Sequence, residues 1–143
     1  MKVKDIMTTD VKTVTPKSTI QQAAKIMASC SIGCLIVVDS KRLVGIITER
    51  DIMREVVAKN KTPSKTKVQE AMTGEVVVIE PDAEIEDAAN AMTEKKIKRL
   101  PVVYNNSLIG IVSSVDIVAA EPRMMEQIAQ LFLFRSKKKK AAG

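Results

Sequence analysis

Apolar positions in this chain recur on two helical faces that copy one another. Ile20, Ala23, Ala24 and Met27 follow the i, i+3, i+4, i+7 spacing of one side of a helix. Ile85, Ala88, Ala89 and Met92 repeat that spacing 65 residues later. The offset extends well beyond the helices. Val3–Glu55 falls on Val68–Ala120 without a gap, so that Val3 meets Val68, Met7 meets Met72 and Pro16 meets Pro81. Val37-Val38 fall on Val102-Val103, and GIITERD (Gly45–Asp51) falls on GIVSSVD (Gly110–Asp116). A fixed period of this kind means that each copy is one structural unit.

Within a copy the pattern predicts the order β-α-β-β-α. Val11–Val14 is a short β-branched run before Pro16, and Ser18 with Gln21 reads as a capping box opening the first long helix. Cys34–Val38 is suited to a buried strand, Asp39–Arg42 to a turn, Leu43–Thr48 to the returning strand and Asp51–Ala58 to a helix. The second copy offers a strand at Val76–Ile79, strands at Leu100–Val103 and Leu108–Val112 around the turn Tyr104–Ser107, and a helix from Ser114. Residues 1–59 are thus the first repeat, 60–67 a polar linker, 68–121 the second repeat, and 122–143 a C-terminal helix (Met124–Phe134) with a basic tail. One copy of about 55 residues buries so little surface that it is marginal alone. The expected fold class is therefore α+β, with two pseudo-symmetric repeats packed face to face and the C-terminal helix capping the body or a partner subunit. Apolar helix faces on so small a body also point to a homodimer.

Composition narrows the function. No run in the 143 residues approaches the roughly 18 apolar positions of a membrane span, and MKVKDIMTTD has no apolar signal core. A cytoplasmic protein with no membrane partner is expected. Lys137–Lys140 supply four charges of the net +6, and such a tail attracts nucleic acid only weakly, by electrostatics alone. Tyr104, Phe132 and Phe134 are too few aromatics for a base-stacking platform. Cys30 and Cys34, without any histidine, form neither a disulfide framework nor a zinc site, and read as buried structural thiols. Glu84, Glu86 and Asp87 suit the first turn of a helix. No phosphate loop, nucleophile elbow or histidine base is present, so neither an enzyme nor a cofactor is expected.

Several features together resemble a known module. They are the doubled β-α-β-β-α order, the leading DIMT (Asp5–Thr8) and EAMT (Glu70–Thr73), the proline after the first strand, LIVV and LPVV, and the twice-repeated closing G-x-x-[ST]-x-x-D. From Lys2 to Pro122 the chain resembles the tandem cystathionine-β-synthase-type (CBS) domain pair, or Bateman module. The resemblance implies a non-catalytic regulatory module. Such modules bind adenosine-containing molecules (AMP, ADP, ATP or S-adenosylmethionine) in clefts between the repeats and regulate another protein, which the sequence does not name.

The closing motif has a chemistry of its own. Glycine permits close backbone approach, a hydroxyl follows at Thr48 or Ser113, and a carboxylate follows at Asp51 or Asp116. An ionised carboxylate accepts hydrogen bonds only, which suits the two donors of a ribose 2′,3′-diol. The same pair also reads as a helix cap, and the two roles are compatible. By resemblance the clefts are crossed. Ile46, Thr48 and Asp51 would meet Thr73, Val78, Lys98 and Arg99, while Ile111, Ser113 and Asp116 would meet Thr8, Thr13, Gly33 and Cys34. The apolar members would sandwich adenine. Lys98-Arg99 stand where the first copy has Gly33-Cys34, so the Asp51 site is expected to hold phosphate and the Asp116 site a nucleoside-like ligand or nothing. Arg50 is a further candidate cation. Two other readings stay open: a structural oligomerisation module with empty clefts, and weak nucleic-acid binding through the basic tail.

Overall fold

Caps and turns set the boundaries of each periodic run. In chain order the elements are α1 (Val3–Ile6), β1 (Thr13–Val14), α2 (Ile20–Cys30), β2 (Cys34–Asp39), β3 (Arg42–Thr48), α3 (Glu49–Ile52), α4 (Ile85–Lys95), β4 (Arg99–Tyr104), β5 (Ser107–Ser113), α5 (Ser114–Ala120) and α6 (Met125–Ala142). This computed structural model describes residues 1–142, with side chains as far as Leu133. The fold is mixed α+β, as the pattern predicts. Helix α2 buries Ile20, Ala23 and Met27, and α4 buries Ile85, Ala88, Ala89 and Met92. Each large apolar side chain so buried contributes about 1.5–3 kcal/mol.

Contacts divide the chain into two units. One comprises Asp10–Val76 with Asn105–Leu108. Here β1 runs parallel to β2 (Thr13 beside Ile36, Val14 beside Val37), and β2 runs antiparallel to β3 with Cys34 opposite Thr48. Ser40 and Lys41, both left-handed, make the tight turn between β2 and β3. The core of this unit gathers Val14, Ile20, Ala23, Met27, Leu35, Val37 and Ile47 with Val56, Val68 and Ala71.

The other unit comprises Met1–Thr9, Val77–Tyr104 and the chain from Ile109 onward. Strands β4 and β5 are neighbours, and the turn between them uses left-handed Asn105 and Asn106. Its core centres on Val3, Ile85, Met92, Leu100, Val112 and Ile117. Helix α6 adds Ile128 and Leu131 to that core and ties to α4 through Gln127–Asn90 at 2.8 Å, while Arg123, in the turn just before α6, reaches Glu86 at 2.9 Å. The C-terminal helix therefore packs one face against this unit. Met125, Phe132 and Leu133 on α6 remain exposed.

Of the boundaries that differ from the sequence expectation, three have a clear local cause or bear on the site. The capping box of α2 is Thr19–Gln22, not Ser18–Gln21: Thr19 Oγ1 accepts from the Gln22 N–H at 3.1 Å, and Gln22 Oε1 accepts from the Thr19 N–H at 2.9 Å. The shift by one lets Ile20 open the helix fully buried, while Ser18 bonds Thr15 instead. Val76–Ile79 forms no strand; only Ile79 pairs, with Val102. The reason is Pro101, which the repeat offset places opposite Ile36. The Ile36 N–H donates to the Lys12 carbonyl at 3.4 Å, whereas proline has no N–H to offer at the matching place. The third helix of the first repeat starts at Glu49 and widens into a π-turn over Met53–Val57, where the Ala58 N–H donates to the Met53 carbonyl at 2.8 Å.

Candidate functional site

The closing motif is built alike in both repeats. At the end of β3, Thr48 is extended and caps α3: its Oγ1 accepts from the Asp51 N–H at 3.1 Å, and Asp51 Oδ2 accepts from the Thr48 N–H at 3.0 Å. At the end of β5, Ser113 Oγ accepts from the Asp116 N–H at 3.1 Å, and Asp116 Oδ2 accepts from the Ser113 N–H at 2.8 Å. The capping reading of these residues is thus a fact of the structure. It engages one carboxylate oxygen in each motif and leaves the other for further chemistry.

The second oxygen separates the two repeats. Asp51 Oδ1 accepts from Arg54 Nη2 at 2.9 Å; the Asp51 side chain is 6% exposed and that of Arg54 57%. Arg54 Nε also donates to Glu55 Oε1 at 3.2 Å, and Lys59 Nζ reaches Glu55 Oε2 at 2.6 Å. The hydrogen bonds from Lys59 and Arg54 hold the Glu55 carboxyl below its ordinary range. In the second repeat the position of Arg54 is Ala119. Asp116 is half-buried, and its Oδ1 has no hydrogen-bond partner among the described residues. The sequence reading considered Arg50 as the local cation and missed Arg54. The signal was available, since residues three apart on a helix are neighbours. Arg50 itself is exposed and makes no ion pair among the described residues.

Leading segments lie across the closing strands. Ile46 and Thr73 exchange both backbone hydrogen bonds, at 3.0 and 2.9 Å, in the unit that holds Asp51. Thr8 and Ile111 do the same, both at 2.9 Å, in the unit that holds Asp116. Glycine makes the crossing possible. A Cβ on Gly45 would stand 2.9 Å from the Thr73 carbonyl oxygen and 2.7 Å from Met72 Sδ. One on Gly110 would stand 3.0 Å from the Thr8 oxygen and 2.7 Å from Met7 Sδ. Neither glycine has positive φ, so clearance rather than backbone freedom requires them.

The remaining expected residues are distributed as follows. Thr13, Gly33 and Cys34 lie in the Asp51 unit, and Val78, Lys98 and Arg99 lie in the Asp116 unit. Thr8, Thr13, Thr73 and Arg99 are exposed, and Val78 is 43% exposed. The Gly33 carbonyl accepts from the Glu49 N–H at 3.0 Å, and a Cβ there would strike Glu49 Oε1. The Lys98 carbonyl plays the same part for Ser114, at 2.9 Å. Lys98 Nζ lies 4.3 Å from the Phe132 ring centre, a cation–π contact that competes with any phosphate role.

The cysteines are not buried. Cys30 is exposed and Cys34 half-buried. Cys30 is the last residue of α2, and left-handed Ser31 turns the chain away just beyond the buried stripe. A recess of about 390 Å³ opens beside this end of α2, lined by Ala24, Met27, Ala28, Ser31, Ile32, Glu49 and Ile52. None of these residues belongs to the expected set, and single-sequence periodicity gives no sign of such a hollow. No helix among the described residues is long and apolar enough to cross a membrane. The side chains of Lys137–Lys140, on which the basic-tail reading rests, lie outside the described residues.

Known proteins share this arrangement. The family model described as CBS domain matches twice, over residues 3–58 and 68–123. The CBS domain-containing protein YhcV of Bacillus subtilis is 42% identical over 115 residues, which cover 80% of this chain and 81% of that protein. Among solved structures, a conserved CBS domain protein of Thermoplasma acidophilum superposes with a TM-score of 0.81 at 28% identity, covering 93% of this chain and 75% of the other. The CBS domain pair of protein MJ0100, solved in complex with 5′-methylthioadenosine and S-adenosyl-L-methionine, superposes with a TM-score of 0.74 at 34% identity, covering 84% of this chain and 94% of the other.

Proposed function

The chain belongs to the CBS-domain family, and from that premise we propose that it is a non-catalytic regulatory module that binds an adenosine-containing ligand and reports its presence to another protein. The observation that carries the proposal is the duplicated hydroxyl–carboxylate pair, Thr48 with Asp51 and Ser113 with Asp116, each beside a leading segment held by backbone hydrogen bonds. A relative that binds two adenosine derivatives supports the ligand class. The ribose diol is assigned first to Asp116, because its Oδ1 has no hydrogen-bond partner among the described residues, with Ser113 bonded to it and Ile111 and Thr8 paired in the same unit. This reverses the order expected from sequence, where the Lys98-Arg99 pair favoured the Asp51 site. Thr48, Ile46 and Thr73 form the corresponding set at Asp51. Within the Asp116 unit, Arg99, exposed and in no ion pair among the described residues, is a better phosphate contact than Lys98.

The test is a thermal-shift panel of adenosine, AMP, ADP, ATP, 5′-methylthioadenosine and S-adenosylmethionine. A ligand at 100 times its dissociation constant adds about 2.7 kcal/mol of stability. Asp116→Ala should abolish most of that shift for the compound that gives it. No shift with any compound at millimolar concentration would leave the chain as an oligomerisation module.

A further inference from the structure

We propose that Arg54 sets the ligand selectivity of the first repeat: it holds Asp51 closed to a neutral ribose and releases it to a ligand that carries an anionic group beside the sugar. The inference rests on the functional reading above and adds the ligand class of one site. Its basis is the difference in the second carboxylate oxygen. Both motifs commit Oδ2 to the same cap. Among the described residues, Oδ1 is also engaged only in the first repeat, by Arg54 Nη2 at 2.9 Å. The pair is lopsided in exposure, with Asp51 at 6% and Arg54 at 57%. A buried carboxylate with its cation removed and nothing in exchange is costly. Ribose hydroxyls alone offer neutral donors in place of a charged one, so adenosine is a poor competitor for Asp51.

A phosphate alters that balance. Arg54 is the exposed partner, so its guanidinium moves without leaving water, and a phosphate offers it the bidentate charged acceptor that guanidinium fits best. The diol then satisfies Asp51 while Arg54 binds the anion. Glu55 holds the other side of the guanidinium through Nε at 3.2 Å and is itself tied to Lys59, so the released arginine stays at the rim of the site. The second repeat has no such device, because Ala119 and Ala120 stand at the positions of Arg54 and Glu55. One chain thus carries an open carboxylate suited to nucleosides and a latched one suited to nucleotides.

Calorimetric titration of the full chain with adenosine and AMP tests this. Asp116→Asn isolates the first-repeat site. In that background AMP should bind at least about tenfold more tightly than adenosine, the worth of one hydrogen bond to a charged group. Adding Arg54→Met should collapse the ratio from both ends, with adenosine binding more tightly and AMP more weakly. Arg54→Lys should keep a preference for AMP, and it guards against a folding defect in the methionine variant. A merely structural arginine would weaken both ligands together and leave the ratio unchanged, and that result overturns the proposal. So does an Asp116→Asn chain that binds neither ligand while the unaltered chain binds them. Absence of binding to the unaltered chain would instead overturn the functional reading itself, and this inference with it.

Discussion

Replacing Gly45 by alanine should cost stability out of proportion to one methyl group. The added Cβ would stand 2.7 Å from Met72 Sδ, 2.9 Å from the Thr73 carbonyl oxygen and 3.2 Å from Met72 Cγ. A methionine end can move aside. The Thr73 carbonyl cannot, because it accepts the Ile46 N–H at 3.0 Å while the Thr73 N–H donates back at 2.9 Å. Relief therefore means lifting the leading segment off β3 and stretching both bonds. Overpacking of this kind costs about 1–3 kcal/mol, which lowers the melting temperature by roughly 3–10 °C in a chain of this size. Gly110→Ala should behave alike, since its Cβ would meet the Thr8 oxygen at 3.0 Å. Gly74→Ala is the control, because nothing lies within 4 Å of its Cβ. Combining Gly45→Ala with Met72→Ala should recover less than half of the loss, as the backbone contact persists. Urea and thermal unfolding of the set would decide. If Gly45→Ala melts with Gly74→Ala, the close approach is not what the glycine is for.

Three further outcomes are expected. Asp51→Ala removes a cap and a charged hydrogen bond together, so it should destabilise by about 1.5–3 kcal/mol, against about 1 kcal/mol for Asp116→Ala, which loses only the cap; equal urea midpoints for the two variants would contradict the Arg54 contact. Glu55 is held below its ordinary carboxyl value by Lys59 and Arg54, and Asp82 by Lys4. A lowered folded pKa gives stability that is present above the unfolded value and lost as pH falls through the folded one. The urea midpoint should therefore drop below about pH 4.5, more weakly in high salt because these groups face solvent; a midpoint that does not move on acidification would refute it. Finally, α6 packs on α4, whereas α2 carries an open recess, and Met53 (63%) and Val57 (66%) of the same unit are exposed. A second copy should cover it, giving twice 15.7 kDa by light scattering, and Met53→Lys with Val57→Lys should return the monomer; a monomeric unaltered chain would reject the idea.

Periodicity carried the helices because one stripe of apolar residues has one solution. Ile85, Ala88, Ala89 and Met92 are all buried, and their first-repeat counterparts differ only in that Ala24 is half-buried. Turn chemistry carried the hairpins, whose left-handed pairs are Ser40-Lys41 and Asn105-Asn106. Local reading failed where the answer lay in a partner strand. Val76–Ile79 has the composition of a strand, but whether it pairs depends on Pro101, some 22 residues away in sequence from Ile79. It failed again for Cys30, where the helix outruns the body that would bury it. For the candidate site the motif residues were legible by type and spacing. Their occupation was not, because a carboxylate's free oxygens are fixed by neighbours such as Arg54 that no motif includes.

That last failure bears on how a repeated motif should be used. The positions common to both copies do structural work that either copy would need without any ligand. Glycine clears a path for the leading segment, and the hydroxyl and carboxylate cap the helix that follows. A ligand's identity cannot be encoded in features that both sites share if the sites differ in what they bind. It must reside where the copies diverge: Arg54 against Ala119, Glu55 against Ala120, Gly33-Cys34 against Lys98-Arg99. Of these, Arg54 touches a motif carboxylate, and at 2.9 Å it has already altered what that carboxylate can accept. The duplicated motif thus locates the sites, and the unduplicated residues beside it decide their chemistry.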